Sequence, residues 1–249
     1  MSDAPGPKGE ELRQRFFRIR WEANQQPAKG VWAARRRLAR VMRRVIERLI
    51  TSDAPEEELE IATQRLEEYA ERLASHPRRQ RYTGFAEAAV ASPDEELPLP
   101  EGGGHFDFSP LIGRSNPLAP PIEMSSEEDG TVHGRVVFGT AYEGPPGCVH
   151  GGYIAAAFDE VLGYAETFSG APGMTGTLTV RYRSPTPLHT ELLFEARVQR
   201  VEGRKVFVVG TLHHGTTLCA ESEAIFVSSR PGSFGRLLAA REKRQPREP

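Results

Sequence analysis

The residues best suited to chemistry are the run His150 to Gly152 and an aspartate, Asp159, eight positions beyond Gly151. If a helix begins near Gly151, its first amide groups have no intrahelical acceptor and lie at the positive end of the helix dipole. Such amides could stabilise an oxyanion, and an aspartate within an apolar helix needs a partner or a task. This stretch therefore predicts a carbonyl substrate.

The spacing of the two groups sets a geometric limit. Along a helix, Gly151 and Asp159 lie about 12 Å apart, at about 1.5 Å per residue. One carbonyl group cannot contact both. Two antiparallel copies of the helix would bring the N-terminus of one beside the aspartate of the other, so the spacing predicts a site shared between two protomers.

The helix that must position these groups is rich in apolar residues on every side, from Tyr153 to Leu162. We therefore expect it to be buried, with the Asp159 carboxylate in its middle. Burying a lone carboxylate costs several kcal/mol unless it has a partner or a task. The alternatives are a structural aspartate, or a helix rolled so that Asp159 and Glu160 reach solvent together.

The sequence of His150, Gly151 and Gly152 followed by Asp159 resembles the hotdog-fold acyl-CoA thioesterases of the phenylacetate-pathway (PaaI-type) class. Three further stretches agree in order and spacing, namely Glu143–Gly152, Pro172–Pro185 and Val201–Lys205. The resemblance extends from about Tyr142 to Val227. It implies an α+β hotdog fold, in which an antiparallel sheet wraps around a central helix, and hydrolysis of an acyl-CoA to a free acid.

The resemblance also implies roles for individual residues. Asp159 matches the catalytic carboxylate, which acts either as the base that activates water or as the nucleophile that forms a mixed anhydride. Gly151 matches the glycine whose backbone N–H polarises the thioester carbonyl, and His150 helps shape that site. Thr175 falls where relatives carry a Ser or Thr that orients the water or carboxylate. Several relatives have an Asn six residues before the histidine, where this chain has Gly144.

Coenzyme A, as part of the substrate, carries phosphates that need cations. Three candidates lie beside turns or strand ends, namely Arg183, Arg204 and Lys205, and for each the alternative is a solvated surface charge. No further cofactor is implied. No metal site is expected, because the adjacent His213 and His214 would point to opposite faces of a strand.

The global composition is that of an ordinary globular protein. The 249 residues carry a net charge of −2, so nothing indicates a nucleic-acid partner. The polar N-terminus lacks the apolar core of a signal peptide, and no stretch approaches the ~18 apolar residues of a membrane span. Two cysteines are too few for a disulfide framework. We expect a cytoplasmic protein that acts in fatty acid metabolism.

Before the thioesterase-like region, the pattern predicts two helices, at residues 31–50 and 56–75. The first has an apolar row with seven arginines on the remaining surface, and the second is acidic with its own apolar row. We predict that the two rows pack together as a self-neutralising helical hairpin. Docking of the arginine-rich helix on a membrane or a protein partner is the less favoured alternative.

The whole chain is divided accordingly into a polar segment (1–30), the hairpin (31–76), a Pro/Gly linker (77–105), the hotdog domain (106–230) and a disordered tail (231–249). Apolar residues alternate with polar ones in two segments of the hotdog domain, and the turn signals at Asp129-Gly130, Glu202-Gly203 and Gly215 precede three more, so five strands are predicted. These segments are residues 131–139, 177–182, 192–198, 206–212 and 218–227.

Three functions fit these features. The first is hydrolysis of an acyl-CoA, or of an acyl-carrier-protein thioester, by a homodimer or a dimer of dimers. The second is a non-catalytic acyl-CoA sensor with a helical domain for docking a partner. The third is a hotdog hydratase, for which the expected Asp/His constellation is missing. Retention of Asp159 favours catalysis, because a sensor does not need this carboxylate.

Overall fold

A computed structural model of the chain describes residues 27–77, 106–170, 173–228 and 240. The predictions for most of the polar segment, the linker and the tail lie outside these residues. Two helices, α1 (Gly30–Thr51) and α2 (Glu56–Ala74), precede a sheet and one further long helix, α3 (Gly151–Glu166). No helix in the described ranges is long and apolar enough to cross a membrane.

The sheet has six antiparallel strands in the order β1-β2-β4-β5-β6-β3. The turns of the meander from β4 to β6 lie at Gly203 and Gly215, whose φ angles of 58° and 56° suit glycine. The five predicted strands are confirmed, whereas the short β1 has no counterpart among them. The strands are β1 Glu123–Ser126, β2 Val132–Val137, β3 Gly173–Tyr182, β4 Glu191–Glu202, β5 Lys205–His214 and β6 Thr217–Ser228.

Helix α3 lies across one face of the sheet. Alternate residues of β4 and β5 are buried against it, and the rings of Phe158 and Phe194 meet edge to face with centroids 5.1 Å apart. At Gly210 the helix comes close, since a Cβ there would lie 3.0 Å from a methyl carbon of Leu162. This sheet around a helix confirms the α+β hotdog fold.

One face of α3 is not covered by the residues that the structure describes. Gly152 and Asp159 are exposed, and Ala155 and Gly163 on the same face are only half-buried. The prediction of a helix buried on every side is therefore wrong for the monomer, and Asp159 is not a buried carboxylate. Glu160 is half-buried, so the two carboxylates do not reach solvent together.

The N-terminal helices lie where the sequence predicts them, but they do not bury each other. Helix α2 has no buried residue, and Leu66 in the middle of its apolar row is 52% exposed. In α1, Val41 and Val45 are exposed by 50% and 42%. The predicted packing of the two apolar rows is wrong, and helix α2 has no cover among the described residues.

Helix α1 instead packs on the hotdog domain through its opposite face. Its buried residues are Trp32, Arg36 and Ala39. Arg36 forms a buried ion pair with Asp107, in which Nη2 lies 2.9 Å from Oδ1 and Nε lies 3.1 and 3.2 Å from the two carboxylate oxygens. The Trp32 ring contacts the ring of Phe108, with centroids 5.8 Å apart.

The same face of α1 makes two further contacts, about two and three turns beyond Arg36. Arg43 donates from Nη1 to the carbonyl oxygen of Asn116 at 2.8 Å. The Glu47 carboxylate accepts the backbone N–H of Thr140 at 3.1 Å. Helix α1 is therefore attached to the hotdog domain and does not form a separate hairpin with α2.

Candidate active site

The side chain of His150 caps the N-terminus of α3. Its Nδ1 accepts the N–H of Gly152 at 3.0 Å, so in the neutral ring the proton lies on Nε2. Gly151 is the first helical residue, and its N–H has no acceptor within the helix. This end of the helix can therefore offer an amide to an oxygen of a ligand.

A tyrosine that the sequence analysis did not identify restrains Gly151. The hydroxyl of Tyr182, in β3, donates to the carbonyl oxygen of Gly151 at 2.8 Å. A Cβ at Gly151 would lie 3.1 Å from the same hydroxyl oxygen. The alternation of β3 predicts only that Tyr182 belongs to a strand, and its contact with the helix appears only in the fold.

The loop before α3 folds back onto His150. The N–H of His150 donates to the carbonyl of Tyr142 at 2.8 Å, and the N–H of Gly144 donates to that of Cys148 at 2.9 Å. A Cβ at Gly144 would lie 2.7 Å from the Cα of His150, which is shorter than real contacts. The Asn that several relatives carry at this position would not fit this loop as it stands.

Asp159 and Thr175 meet as a pair. The hydroxyl of Thr175 donates to Oδ1 of Asp159 at 2.7 Å, across the gap between α3 and β3. Because Asp159 is exposed, its second oxygen can accept from a ligand or water. The fold thus brings together two of the predicted site residues.

The neighbouring carboxylate has a different environment. The hydroxyl of Ser109 donates to Oε1 of Glu160 at 3.0 Å. Burial raises the pKa of Glu160 to about 7, although the hydrogen bond from Ser109 lowers it, and the charge of Asp159 raises it further. Asp159 is therefore the carboxylate of the pair that is available at the surface.

The two halves of the candidate site lie at opposite ends of β3. Thr175 holds Asp159 near the start of the strand, and Tyr182 holds Gly151 at its end. At about 3.3 Å per residue, Thr175 and Tyr182 are roughly 20 Å apart. A single chain therefore does not bring Asp159 and Gly151 to one carbonyl group.

The three predicted coenzyme A contacts do not form one cluster in the single chain. Arg183 follows Tyr182 and forms an ion pair with Glu221. Arg204 lies in the β4–β5 turn, where its Nη2 donates to the carbonyl of Ser228 at 2.7 Å. Lys205 follows Arg204 and is exposed. Their role in binding phosphates stays a prediction.

A groove of about 250 Å³ lies away from these residues, on the face of the sheet opposite α3. Outward-facing side chains of β4, β5 and β6 line it, among them Glu195, Arg197, Thr211 and Glu223. Neither Asp159 nor Gly151 borders it, so the groove does not belong to the candidate site.

Comparisons with known proteins match the segment that contains the candidate site residues. The family profile described as thioesterase superfamily matches residues 146–221. The protein named acyl-coenzyme A thioesterase THEM4 from Xenopus laevis is 37% identical over 95 residues, which cover 37% of this chain and 43% of that protein. For the protein of the same name from Mus musculus, the identity is 36% over 95 residues, with 37% and 41% covered.

A solved crystal structure extends the likeness beyond this segment. It is described as a thioesterase superfamily protein, is 32% identical and has a TM-score of 0.69. The match covers 82% of this chain and 94% of that one. By contrast, the chain spans only about two-fifths of the length of the curated relatives, 43% and 41%.

Proposed function

Because the chain belongs to the thioesterase superfamily, we propose that it hydrolyses an acyl-CoA thioester to a free carboxylic acid and coenzyme A. The observation that carries the proposal is the hydrogen bond from Thr175 to Asp159, which fixes an exposed carboxylate beside the open edge of the sheet. The relatives named acyl-coenzyme A thioesterases supply the substrate class.

In this proposal Asp159 acts in one of two ways. As a base, it takes a proton from water while the water oxygen attacks the thioester carbonyl carbon, the C–S bond breaks, and the coenzyme A thiolate leaves and is protonated. As a nucleophile, it attacks the same carbon, the C–S bond breaks, and the coenzyme A thiolate leaves and is protonated; water then hydrolyses the mixed anhydride to the free acid and regenerates the Asp159 carboxylate. Thr175 occupies one carboxylate oxygen in either route and leaves the other free to react.

The developing oxyanion would be stabilised by the N–H of Gly151, helped by the dipole of α3. His150 acts as a positioning residue, since it holds the amide of Gly152 and fixes the first turn of the helix. Tyr182 restrains the carbonyl of Gly151 from the other side. Both contacts hold the Gly151 amide in place before the substrate arrives.

The two halves of this site would come from two copies of the chain. Among the described residues, strand β3 pairs with β6 alone, and its other edge, ten residues long, has no neighbouring strand. Antiparallel pairing of two such edges would place the Thr175 end of one copy beside the Tyr182 end of the other. The open face of α3, with Ala155, Asp159 and Gly163, would lie against the partner and complete the site.

The same pairing would gather the proposed phosphate contacts. Lys205, Val227 and Met174 lie in register across β5, β6 and β3, so Lys205 is near the Asp159 end of the strand. Arg183 lies at the opposite end, next to Tyr182. In an antiparallel dimer, Arg183 of one copy would therefore approach Arg204 and Lys205 of the other.

The direct test is turnover of a panel of acyl-CoA substrates, with release of free thiol as the signal. We expect hydrolysis by the wild-type chain, and loss of it in Asp159→Asn. If the wild-type protein binds acyl-CoA but releases no thiol, the proposed hydrolysis is wrong and the alternative of a non-catalytic acyl-CoA sensor is favoured.

Complementation tests the shared site. Gly151→Pro removes the N–H at a helix position where proline fits, so it should lower kcat by about 10²–10³. Gly151→Ala places the same Cβ 3.1 Å from the Tyr182 hydroxyl oxygen but keeps the amide, so it serves as the steric control. Chains with Asp159→Asn and Gly151→Pro, expressed together, should recover about a quarter of wild-type turnover, because half of the dimers are mixed and each holds one intact site. No recovery would show a site within one chain.

A further inference from the structure

The N-terminal helices carry two apolar rows that stay largely exposed in the described part of the chain, with Leu38 half-buried. In α1 the row is formed by Val31, Leu38, Val41, Val45 and Leu49, and in α2 by Leu59, Ala62, Leu66, Tyr69 and Leu73. In α2 the steps between successive residues alternate between three and four, as in the seam of a coiled coil. All the large side chains of this α2 row are exposed, by 37% to 52%.

The attachment of α1 prevents its row from turning inward. Arg36, Arg43 and Glu47 bind the hotdog domain and share one side of the helix. Leu38, Val41 and Val45 lie on the other side, about half a turn away at about 100° per residue. The ion pair with Asp107 thus holds the α1 row toward solvent.

Helix α2 needs a partner even more than α1. Its 19 residues have no buried member, whereas most of the stability of helices in proteins comes from packing of an apolar face. The short connection Ser52–Pro55 leads out of α1 through extended residues at both of its ends. Within the described structure, α2 does not fold back onto α1.

The charged residues of the two helices indicate which helix each apolar row can pack against. Helix α1 contains seven arginines and one glutamate, and α2 contains seven glutamates and two arginines. Pairing α1 with α1, or α2 with α2, would bring like charges together. Pairing α1 with α2 joins opposite charges along two apolar rows, which is the pattern of heterotypic coiled coils.

We propose that a second copy of this chain covers the rows, with α2 of one protomer packed on α1 of the other. The exchange closes both apolar rows and neutralises both helices. An anionic membrane is a poorer occupant, because the glutamates of α2 directly follow the arginines of α1 and would be repelled by it. The proposal does not depend on the catalytic site, which lies at α3 and β3.

The test is a disulfide between full-length chains in which Cys148 is replaced by Ser. One chain carries Val41→Cys and the other, with a mass tag, carries Leu66→Cys. Both positions lie near the middle of their rows, so either orientation of the helices brings them close. We expect a mixed, tagged dimer on a non-reducing gel after co-expression and mild oxidation.

In the control, the cysteine of α2 is moved from position 66 to position 68 (Glu68→Cys), on the opposite side of the helix. No mixed dimer should form with this chain. A chain that carries both Val41→Cys and Leu66→Cys distinguishes exchange from a hairpin, since a disulfide-closed monomer would overturn the proposal. Charge reversal gives a further test. The substitutions Glu60→Arg and Glu67→Arg in the Leu66→Cys chain should abolish the mixed dimer. The further substitutions Arg37→Glu and Arg44→Glu in the Val41→Cys chain should restore it. If no crosslink forms and the protein sediments with phosphatidylserine vesicles, the proposal is wrong and an anionic membrane covers the rows instead.

Discussion

Helix α3 has an apolar sequence and helix α1 has a charged one, and in both the exposed face is the unexpected one. The sequence of α3 is apolar almost all round, yet its face with Gly152, Asp159 and Gly163 stays uncovered. Helix α1 is rich in arginine, yet two of these arginines attach it to the hotdog domain. Its apolar row faces solvent instead.

The contrast teaches that apolar spacing shows which face needs cover, but not which chain supplies it. For α1, a buried ion pair and hydrogen bonds to backbone groups outweigh the packing of its apolar row. For α3, small residues and one aspartate leave a face that another backbone can approach closely. Both uncovered faces fit a second copy of the chain, the first through large side chains and the second through small ones.

The largest expected effect breaks the attachment of α1. Arg36→Ala leaves the Asp107 carboxylate buried without its partner, so the free energy of unfolding should fall by about 3–5 kcal/mol. The matched control replaces both, as Arg36→Met with Asp107→Leu, and should recover most of the loss. Urea unfolding measures both variants. A fall below about 1 kcal/mol for Arg36→Ala would show that the pair does not hold the helix.

The next effect concerns the open face of α3. Asp159→Asn should lower kcat by about two orders of magnitude or more, because a positioned base or nucleophile is lost while the hydrogen bond to Thr175 can persist. Circular dichroism and the unfolding midpoint should stay near wild type. Hydrolysis at the wild-type rate by this folded variant would remove Asp159 from the mechanism.

A buried carboxylate at the far end of α3 sharpens the comparison with the exposed Asp159. Glu166 is 2% exposed, and its Oε1 has no hydrogen-bond partner among the described residues. Burial raises the pKa of Glu166 to about 8, although the N–H of Gly173 donates to its carboxyl group and opposes the shift. The folded state therefore keeps a proton that the unfolded chain loses near its ordinary value of 4.5.

It follows that the contribution of Glu166 to stability is present below pH 4.5 and is lost as the pH rises through about 8. Glu166→Gln has no proton to lose. Its free energy of unfolding relative to wild type should therefore rise between pH 4 and pH 9, by about 1.4 kcal/mol for each pH unit between 4.5 and about 8. Denaturant unfolding across this range gives the measurement, and parallel profiles would contradict it.

The smallest effect is expected at Thr175. Thr175→Ala removes one hydrogen bond to a charged group and should lower kcat about tenfold, whereas Thr175→Ser keeps the hydroxyl and should stay close to wild type. Equal turnover of the Ala and Ser variants would limit Thr175 to a structural role.

The sequence by itself determined the helix that begins at Gly151, the five long strands and the positions of α1 and α2. These follow from local signals, namely period-two alternation, helical spacing and the glycines of turns, which act within a few residues. It also identified Asp159 and Thr175 as members of one site through the resemblance to a thioesterase family. The likeness to a solved thioesterase superfamily protein, together with the profile match over residues 146–221, confirms the thioesterase superfamily.

Only the tertiary structure decided which faces are covered. Arg36 lies 71 positions from Asp107, and Tyr182 lies 31 from Gly151, so no local pattern links them. The apolar row of α1 correctly predicted a helix, but the predicted packing of this row on α2 was wrong. Hydrophobic spacing shows which face is apolar and does not specify the neighbour that covers it. Specific pairs of charges and hydrogen bonds, formed between distant segments once the sheet exists, set the orientation of α1 and left Asp159 at the surface.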